Sequence, residues 1–285
     1  MVKVTYRRSR SGVQMFSVER SSGSEASKAL PGNGSDAQQN SLSVVEGFAR
    51  RLGKPSELAS QTEIAAVRPL VQEDLVAGSS EPVLIKTHNA LARFEGHPTI
   101  NFDITLAAVY IVRNPLDVAI SYAHYSGRTL DDTIAFMAEP GANINTSEKR
   151  VYEYMGSWSF HVASWLAVPD RPVLVLRYED MLAAPQRAFA RLAAFLGINA
   201  SATQIERAVA ASSFQELARQ EAEGGFIERP PRAERFFRSG TSGQWRERLS
   251  PAQAAAIATA HGPMMQRFGY MQEACGSRLH WQRGQ

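Results

Sequence analysis

Apolar residues recur with helical and strand periods in alternation along most of the chain. Val45, Phe48, Ala49 and Leu52 follow a helical spacing, and a second helical pattern covers residues 61–75. Short apolar runs at 83–86, 107–112 and 173–178 are rich in β-branched residues and predict strands. Strands that alternate with helices predict an α/β fold, a single domain with a central parallel sheet and helices on both faces.

Two later helices carry clear start signals. Pro185 opens an amphipathic pattern that Gly197 ends, and Ser250-Pro251 starts a helix that runs toward Gly269. A serine before a proline suits a helix start because the hydroxyl caps free N–H groups and proline needs no hydrogen bond there.

Residues 1–43 break this pattern. They are rich in Ser, Gly, Asn and Gln, contain the basic run Arg7-Arg8-Ser9-Arg10, and show no sustained periodicity. Such a composition buries too little apolar surface to offset the entropy of ordering, so we expect a disordered or aberrant segment. The domain is therefore predicted to cover 44–272, with 273–285 as a C-terminal tail.

Bulk properties narrow the class of protein. The formal net charge is only +3, although the pI of about 9.1 favours anionic ligands. Apolar runs are far shorter than the roughly 20 residues that span a bilayer, so no membrane anchor is expected. The sole cysteine, Cys275, cannot form an internal disulfide, which favours a cytoplasmic location, and the histidines lack metal-ligand spacing, so no metal is expected.

The turn after the strand at 107–112 has the features of a phosphate site. Asn114 is placed to cap the following helix, Pro115 suits its first position, and Asp117 is expected to complete a box-like cap. The positive end of this helix then faces outward at the carboxyl edge of the sheet, where an anion can bind. Arg113 adds a fork of donors for a phosphate, and Ser121 can contribute a hydroxyl from the helix flank.

These residues carry a family resemblance. The pattern Arg113-Asn114-Pro115-x-Asp117-x-x-x-Ser121 resembles the 3′-phosphate signature of sulfotransferases that use 3′-phosphoadenosine 5′-phosphosulfate (PAPS), most closely the bacterial members. Further segments match in the same order: Leu84-Ile-Lys-Thr-His88, Ser212-Ser213-Phe214, and Arg238-Ser239-Gly240 with Gly243 and Trp245. The resemblance runs from about 45 to 270 and implies the P-loop-like sulfotransferase fold, with PAPS as co-substrate.

The resemblance also implies roles for individual residues. His88 would be the general base toward the acceptor, and Lys86, two residues away on the same strand face, would stabilise charge on the bridging oxygen. The co-substrate would be bound by Arg113, Ser121, Tyr178, Ser212, Phe214, Arg238, Ser239 and Gly240. Phe214 would stack on adenine, and the 238–240 loop would close over phosphate oxygens.

Each assignment has a structural alternative. His88 could be a strand-end histidine that is merely solvated, and Arg113 could serve only in a salt bridge. Ser121 could bond back to a helix carbonyl, Phe214 could be ordinary core, and Arg238 could lie in a solvated basic loop.

The first segment departs from the family pattern. Members begin with a strand and a loop of the form Tyr-Pro-Lys-Ser-Gly-Thr/Asn-Thr-Trp, which cradles the 5′-phosphosulfate. The nearest stretch here is Tyr6-Arg-Arg-Ser-Arg-Ser-Gly12-Val-Gln-Met15, which places Arg10 where the lysine belongs. Arginine preserves the charge but not the compact ammonium, so the lysine's role is not carried over.

Two function classes follow. The first is an enzyme that transfers a sulfuryl group from PAPS to a hydroxyl or amine of a small-molecule acceptor. The second is an inactive nucleotide-binding or interaction protein on the same fold. A third, nucleic-acid binding through the arginine run, is disfavoured because no aromatic residues are interleaved with it, and a homodimer is left open.

Overall fold

The computed structural model describes residues 2–6, 41–79, 82–168, 170–226, 229 and 233–271. Its strands, in chain order, are β1 (Val2–Tyr6), β2 (Val83–Thr87), β3 (Arg93–Phe94), β4 (His97–Pro98), β5 (Thr105–Val112), β6 (Asn143–Ile144), β7 (Glu153–Tyr154) and β8 (Val173–Arg177). The helices are α1 (Val45–Leu52), α2 (Gln61–Val76), α3 (Pro115–Ser126), α4 (Leu130–Ala138), α5 (Trp158–Leu166), α6 (Tyr178–Ala183), α7 (Pro185–Phe195), α8 (Ala202–Ala211), α9 (Phe214–Gly224), α10 (Trp245–Arg248) and α11 (Pro251–Arg267).

A four-stranded sheet in the order β2-β1-β5-β8 organises the molecule. Strands β5 and β8 are parallel, whereas β1 is antiparallel to both β2 and β5. It follows that β2, β5 and β8 point the same way. The predicted α/β class is confirmed, but the sheet is mixed because β1 runs against its neighbours.

The position of β1 also departs from the expectation for residues 1–43. The sequence of β1, Val-Lys-Val-Thr-Tyr, is short and β-prone, and an argument from the composition of the whole segment does not detect it. At the other end of the segment, Leu42 is fully buried and its N–H donates to the carbonyl of Lys86 (2.9 Å). For residues 2–6 and 41–43 the prediction of disorder was therefore wrong, while 7–40 and the tail at 273–285 lie outside the described residues.

Both faces of β5 are covered. Ala108, Val109 and Tyr110 are consecutive, so their side chains alternate between the two faces, and each is at most 4% exposed. The main core adds residues from the helices and the strand beside it: Ile85, Leu116, Trp165, Ile257, Met265 and Tyr270. A second cluster, formed by Phe48, Ile64, Val71, Val151 and Tyr152, packs α1 against α2.

The predicted helix starts are confirmed. A capping box at Ser60 and Glu63 begins α2, and another at Ser250 and Gln253 begins α11. Gly53, in the left-handed region at φ 69°, ends α1. Across the described ranges, every helix falls short of the length and apolarity that crossing a bilayer requires.

Candidate active site

The turn between β5 and α3 forms the predicted capped helix start. The Asn114 side chain accepts a hydrogen bond from the N–H of Leu116 (3.1 Å), and Pro115 takes the first helical position. The N–H of Asn114 donates to the Glu179 carboxylate (2.9 Å), which also accepts from the hydroxyl of Tyr270 (2.9 Å). This carboxylate, at the start of α6, therefore ties the turn to Tyr270, just after the end of α11.

Asp117 does not complete the cap, so that prediction was wrong. Its buried carboxylate accepts hydrogen bonds from the backbone N–H groups of Gly243 (2.6 Å) and Trp245 (3.1 Å). A capping box would need the N–H of Asn114, which already donates to Glu179. Asp117 instead fastens a distant loop to the first turn of α3.

That loop, residues 238–244, is braced by its own side chains. Gln244 accepts from Arg238 Nη2 (2.8 Å) and donates to the hydroxyl of Thr241 (2.8 Å) and to that of Ser239. Arg113 Nη2 donates to the carbonyl of Thr241 (3.1 Å). These bonds hold the two arginines at the same end of α3.

A second buried carboxylate fixes the approach to the loop. Glu221, on α9, accepts from the N–H groups of Phe236 (2.6 Å) and Phe237 (2.9 Å). Gly240 then passes over the ring of Phe214 at φ 63°, and a Cβ at this position would collide with the ring. Only glycine combines the left-handed backbone with such close contact.

Arg113 retains an unused donor. Its guanidinium lies over the ring of Tyr178 at 4.6 Å, and its buried Nε has no hydrogen-bond partner among the described residues. Buried polar groups in proteins are normally paired, so this N–H is available to an anionic ligand at the α3 N-terminus. The donor set, a guanidinium fork beside a helix N-terminus, fits a phosphate.

His88 follows directly after β2. Burial alternates along the strand, with Ile85 and Thr87 fully buried and Lys86 and His88 partly exposed, so the last two share a face. Desolvation of the half-buried ring holds the pKa of His88 well below its ordinary value, and the nearby charges of Lys86 and Arg150 lower that pKa further. The imidazole is therefore neutral near pH 7, the form that accepts a proton.

The backbone at His88 is held by a half-buried histidine, His161. The carbonyl of His88 accepts from His161 Nε2 (3.0 Å), while His161 Nδ1 pairs with the hydroxyl of Tyr110 (3.0 Å). A carbonyl can only accept, so Nε2 carries the proton of His161 and Nδ1 accepts from the tyrosine. Burial lowers the pKa of His161 to about 4, which keeps this neutral tautomer.

The next residue is fixed as firmly. The carbonyl of Asn89 accepts from Trp165 Nε1 (3.1 Å), and its side-chain oxygen accepts from the N–H of Tyr154 (2.9 Å). His161 and Trp165 both lie on α5, so one helix positions the end of β2.

One cleft unites several of the predicted residues. It has a volume of about 320 Å³ and is lined by His88, Arg113, Ser121 and Arg238, together with Tyr122, Tyr125, Ile144, Arg150, Met155, Arg235 and Phe236 among others. No carboxylate lines it within the described part of the chain. A neutral imidazole thus shares a cationic cleft with Arg113, which precedes the N-terminus of α3.

A family model described as "Sulfotransferase domain" matches residues 36–269. The chain belongs to the sulfotransferase family. Among curated relatives, canine Sulfotransferase 1A1 is 28% identical over 69% of this chain and 66% of its own length. Bovine Sulfotransferase 1A1 is 26% identical over 73% of this chain and 68% of its own length. The aligned region therefore spans about two thirds of these relatives.

A solved structure shares the fold of this sulfotransferase-family chain. Retinol dehydratase in complex with androsterone and inactive cofactor PAP superposes with a TM-score of 0.54 at 19% identity, covering 81% of this chain and 72% of its own. At that identity the likeness concerns the fold alone. The relatives compared above are mammalian, so placement among bacterial members stays a prediction.

The remaining predicted residues are not among those that line the cleft. The ring of Tyr178 packs against the guanidinium of Arg113, and the ring of Phe214 packs against Gly240. The hydroxyl of Ser239 is used within the 238–244 loop, and that of Ser212 bonds back to the carbonyl of Ala208. Their roles toward a nucleotide stay predictions.

Sequence reasoning missed the far wall of the cleft. Tyr122 and Tyr125 of α3 stack at 6.1 Å, and Phe236 meets Tyr125 edge-on at 6.3 Å. Arg150 donates from Nη2 to the hydroxyl of Tyr125 (2.9 Å). The helical spacing of Ser121 and Tyr125, one turn apart, was the one sequence signal that could have placed a tyrosine beside the site.

Proposed function

We propose that the protein binds PAPS and transfers its sulfuryl group to a hydroxyl or amine of a small-molecule acceptor. The observation that carries this proposal is the cleft in which neutral His88 shares one space with Arg113, Ser121 and Arg238. Family membership over residues 36–269 supports it. PAPS, when bound, supplies the sulfuryl group, whose bond to the phosphate oxygen breaks as a bond to the acceptor forms.

The protein's own residues divide the work. Arg113 and the α3 N-terminus would hold the 3′-phosphate, with Arg238 on the loop that Asp117 fastens. His88 would take the proton of the acceptor hydroxyl, because its lowered pKa leaves the imidazole free to accept it. Lys86 would stabilise negative charge on the leaving phosphate.

Adenosine 3′,5′-bisphosphate tests the nucleotide site without requiring turnover. We expect Arg113→Ala to weaken its binding by about 1.5–3 kcal/mol, the range for hydrogen bonds to charged groups. Arg191→Ala, which removes an exposed arginine on α7, is the matched control and should leave calorimetric affinity unchanged. Equal affinity of wild type and Arg113→Ala would remove Arg113 from the site.

His88→Ala tests the chemistry. A positioned general base contributes about 10²-fold or more, so sulfuryl transfer should fall by at least that factor while bisphosphate affinity stays the same. An unchanged rate across several acceptors would end the proposed role of His88.

A second candidate, nucleotide binding without turnover, is favoured by the direction of β1. Tyr6 lies opposite Val83 and Thr105, at the amino ends of β2 and β5. The chain after β1 therefore leaves the sheet at the edge away from His88, whereas the family's phosphosulfate loop follows its first strand at the site. Bisphosphate binding with no sulfuryl transfer, restored when residues 1–43 are replaced by the family's Pro-Lys-Ser-Gly loop, would select this candidate.

Cellular location and assembly are inferred from sequence. A cytoplasmic location, a homodimer and the lack of nucleic-acid or membrane partners stay predictions.

A further inference from the structure

The cleft contains a cation that the nucleotide site does not use. Four arginines line it, of which Arg113 and Arg238 belong to the phosphate end of α3. Arg235 is exposed to solvent, whereas Arg150 is half-buried. The function of a half-buried guanidinium inside the cleft requires a separate explanation.

Arg150 is held by the molecule but not neutralised. Its backbone pairs with Ser147 in the turn between β6 and β7, and its Nη2 donates to the hydroxyl of Tyr125 (2.9 Å). Within the described ranges it forms no ion pair. A guanidinium has five N–H donors, so most of its hydrogen-bonding capacity and all of its charge remain for a ligand.

Two acidic residues lie near Arg150 in sequence: Glu148 is exposed, and Glu153 is occupied elsewhere. Glu153 is 1% exposed and accepts from the hydroxyl of Ser43 (2.6 Å). Burial raises its pKa, which further reduces its value as a counter-charge for Arg150. Neither carboxylate is among the residues that line the cleft.

The location of Arg150 separates it from the phosphate end. Tyr125, its partner, is three turns along α3 from Asn114, about 16 Å at 1.5 Å per residue. The same part of the cleft is lined by the aromatic rings of Tyr122, Tyr125 and Phe236. This half of the cleft suits the acceptor, and His88 opens into the same space.

We propose that Arg150 makes the acceptor subsite selective for flat, apolar acceptors that carry an anionic group such as a carboxylate. The guanidinium would pair with that group while the reacting hydroxyl faces His88. This inference rests on the proposed function, and it names the class of acceptor. A guanidinium and a carboxylate form two parallel hydrogen bonds, which adds orientation to affinity.

The test compares two acceptors that differ in charge but hardly in shape, 4-hydroxybenzoate and 4-hydroxybenzamide. We expect the wild-type protein to bind the carboxylate at least about 10-fold more tightly than the amide, the lower bound for hydrogen bonds to a charged group. In Arg150→Gln the two affinities should agree within about twofold. Arg235→Gln, which removes an exposed arginine from the same cleft, should keep the wild-type preference.

Binding calorimetry with adenosine 3′,5′-bisphosphate present separates this proposal from the proposed function. If the preference for the carboxylate depends on Arg150, the proposed acceptor class is supported even when no sulfuryl transfer occurs. If sulfuryl transfer occurs without any preference for charge, only the proposed acceptor class is overturned and the proposed function is not. Equal binding of both acceptors to the wild-type protein, or no binding of the carboxylate, overturns the proposal. The proposal is also overturned if Arg150→Gln lowers the affinity for the bisphosphate and binds both acceptors equally, because Arg150 would then bind the nucleotide rather than the acceptor. Tyr125→Phe retains the charge and should keep the preference.

Discussion

Replacing Asp117 with alanine tests whether the 238–244 loop is held by a buried carboxylate. The change leaves the N–H groups of Gly243 and Trp245 without their acceptor. A buried donor left unpaired costs about 1–3 kcal/mol, and Trp245 is buried whereas Gly243 is half-buried. We therefore expect a loss of about 2–5 kcal/mol in the free energy of unfolding, or local release of the loop if that costs less.

Urea denaturation and amide hydrogen exchange distinguish the two outcomes. Global destabilisation lowers the denaturation midpoint, whereas local release leaves the midpoint and removes protection at Gly243 and Trp245. Asp131→Ala is the control, because this exposed carboxylate also lies in the first turn of its helix, α4. It contributes a helix-dipole interaction of about 0.3–1 kcal/mol and accepts one exposed hydrogen bond from Gln253 Nε2 (2.7 Å), but it holds no backbone N–H. If Asp117→Ala cost no more than this control and both amides stayed protected, Asp117 would be an ordinary helix-start residue and the loop would be held by other contacts.

Two further changes probe the packing of Gly240 and the half-buried His161. Gly240→Ala should disturb the 238–244 loop and weaken bisphosphate binding, because the added Cβ would collide with the ring of Phe214. Gly197→Ala is the control: at φ 70° its Cβ meets nothing within 4 Å, so only backbone strain is added. Equal melting temperatures and equal affinities for the two variants would contradict this prediction. Burial lowers the pKa of His161 in the folded protein to about 4, so as the pH falls the unfolded chain binds a proton at this residue first. The contribution of neutral His161 to the free energy of unfolding is therefore fully present above about pH 6.5. It decreases toward pH 4 by roughly 3 kcal/mol. His161→Gln should flatten that slope in urea titrations at several pH values, and an unchanged slope would show that other groups cause it.

The local sequence was sufficient to predict those structural features in which a residue interacts with its neighbours in the chain. Asn114 and Pro115 begin α3 as predicted, because a cap needs only a short side chain and the free N–H groups next to it. The capping boxes of α2 and α11 have the same local origin. The alternation of helical and strand patterns likewise predicted the α/β class, since the periods of 3.6 and 2 residues can be seen in the spacing of apolar residues.

Tertiary structure decided which partner each polar group found. Asp117 matches a cap pattern, yet the carboxylate of Glu179 accepts from the N–H that the cap would need. The N–H groups of Gly243, in the 238–244 loop, and of Trp245, at the start of α10, donate to Asp117 instead. Arg150 and Tyr125 meet across 25 positions of the chain, and neither belongs to a pattern that marks an acceptor site. Such pairings depend on which chain segments the fold brings together, and no local period encodes them.

The strand β1 shows the same division. Its five residues have clear β-propensity, but the surrounding composition of 1–43 predicts disorder, and propensity does not specify direction. Pairing with β2 and β5 settled both questions, because two central strands otherwise leave a row of N–H and C=O groups unpaired. The sequence by itself determined the predicted helix starts, the strand segments and the capped turn at Asn114 and Pro115. The tertiary structure decided the direction of β1, the anchoring of the 238–244 loop and the contact between Arg150 and Tyr125, since each depends on hydrogen bonds between residues far apart in the chain.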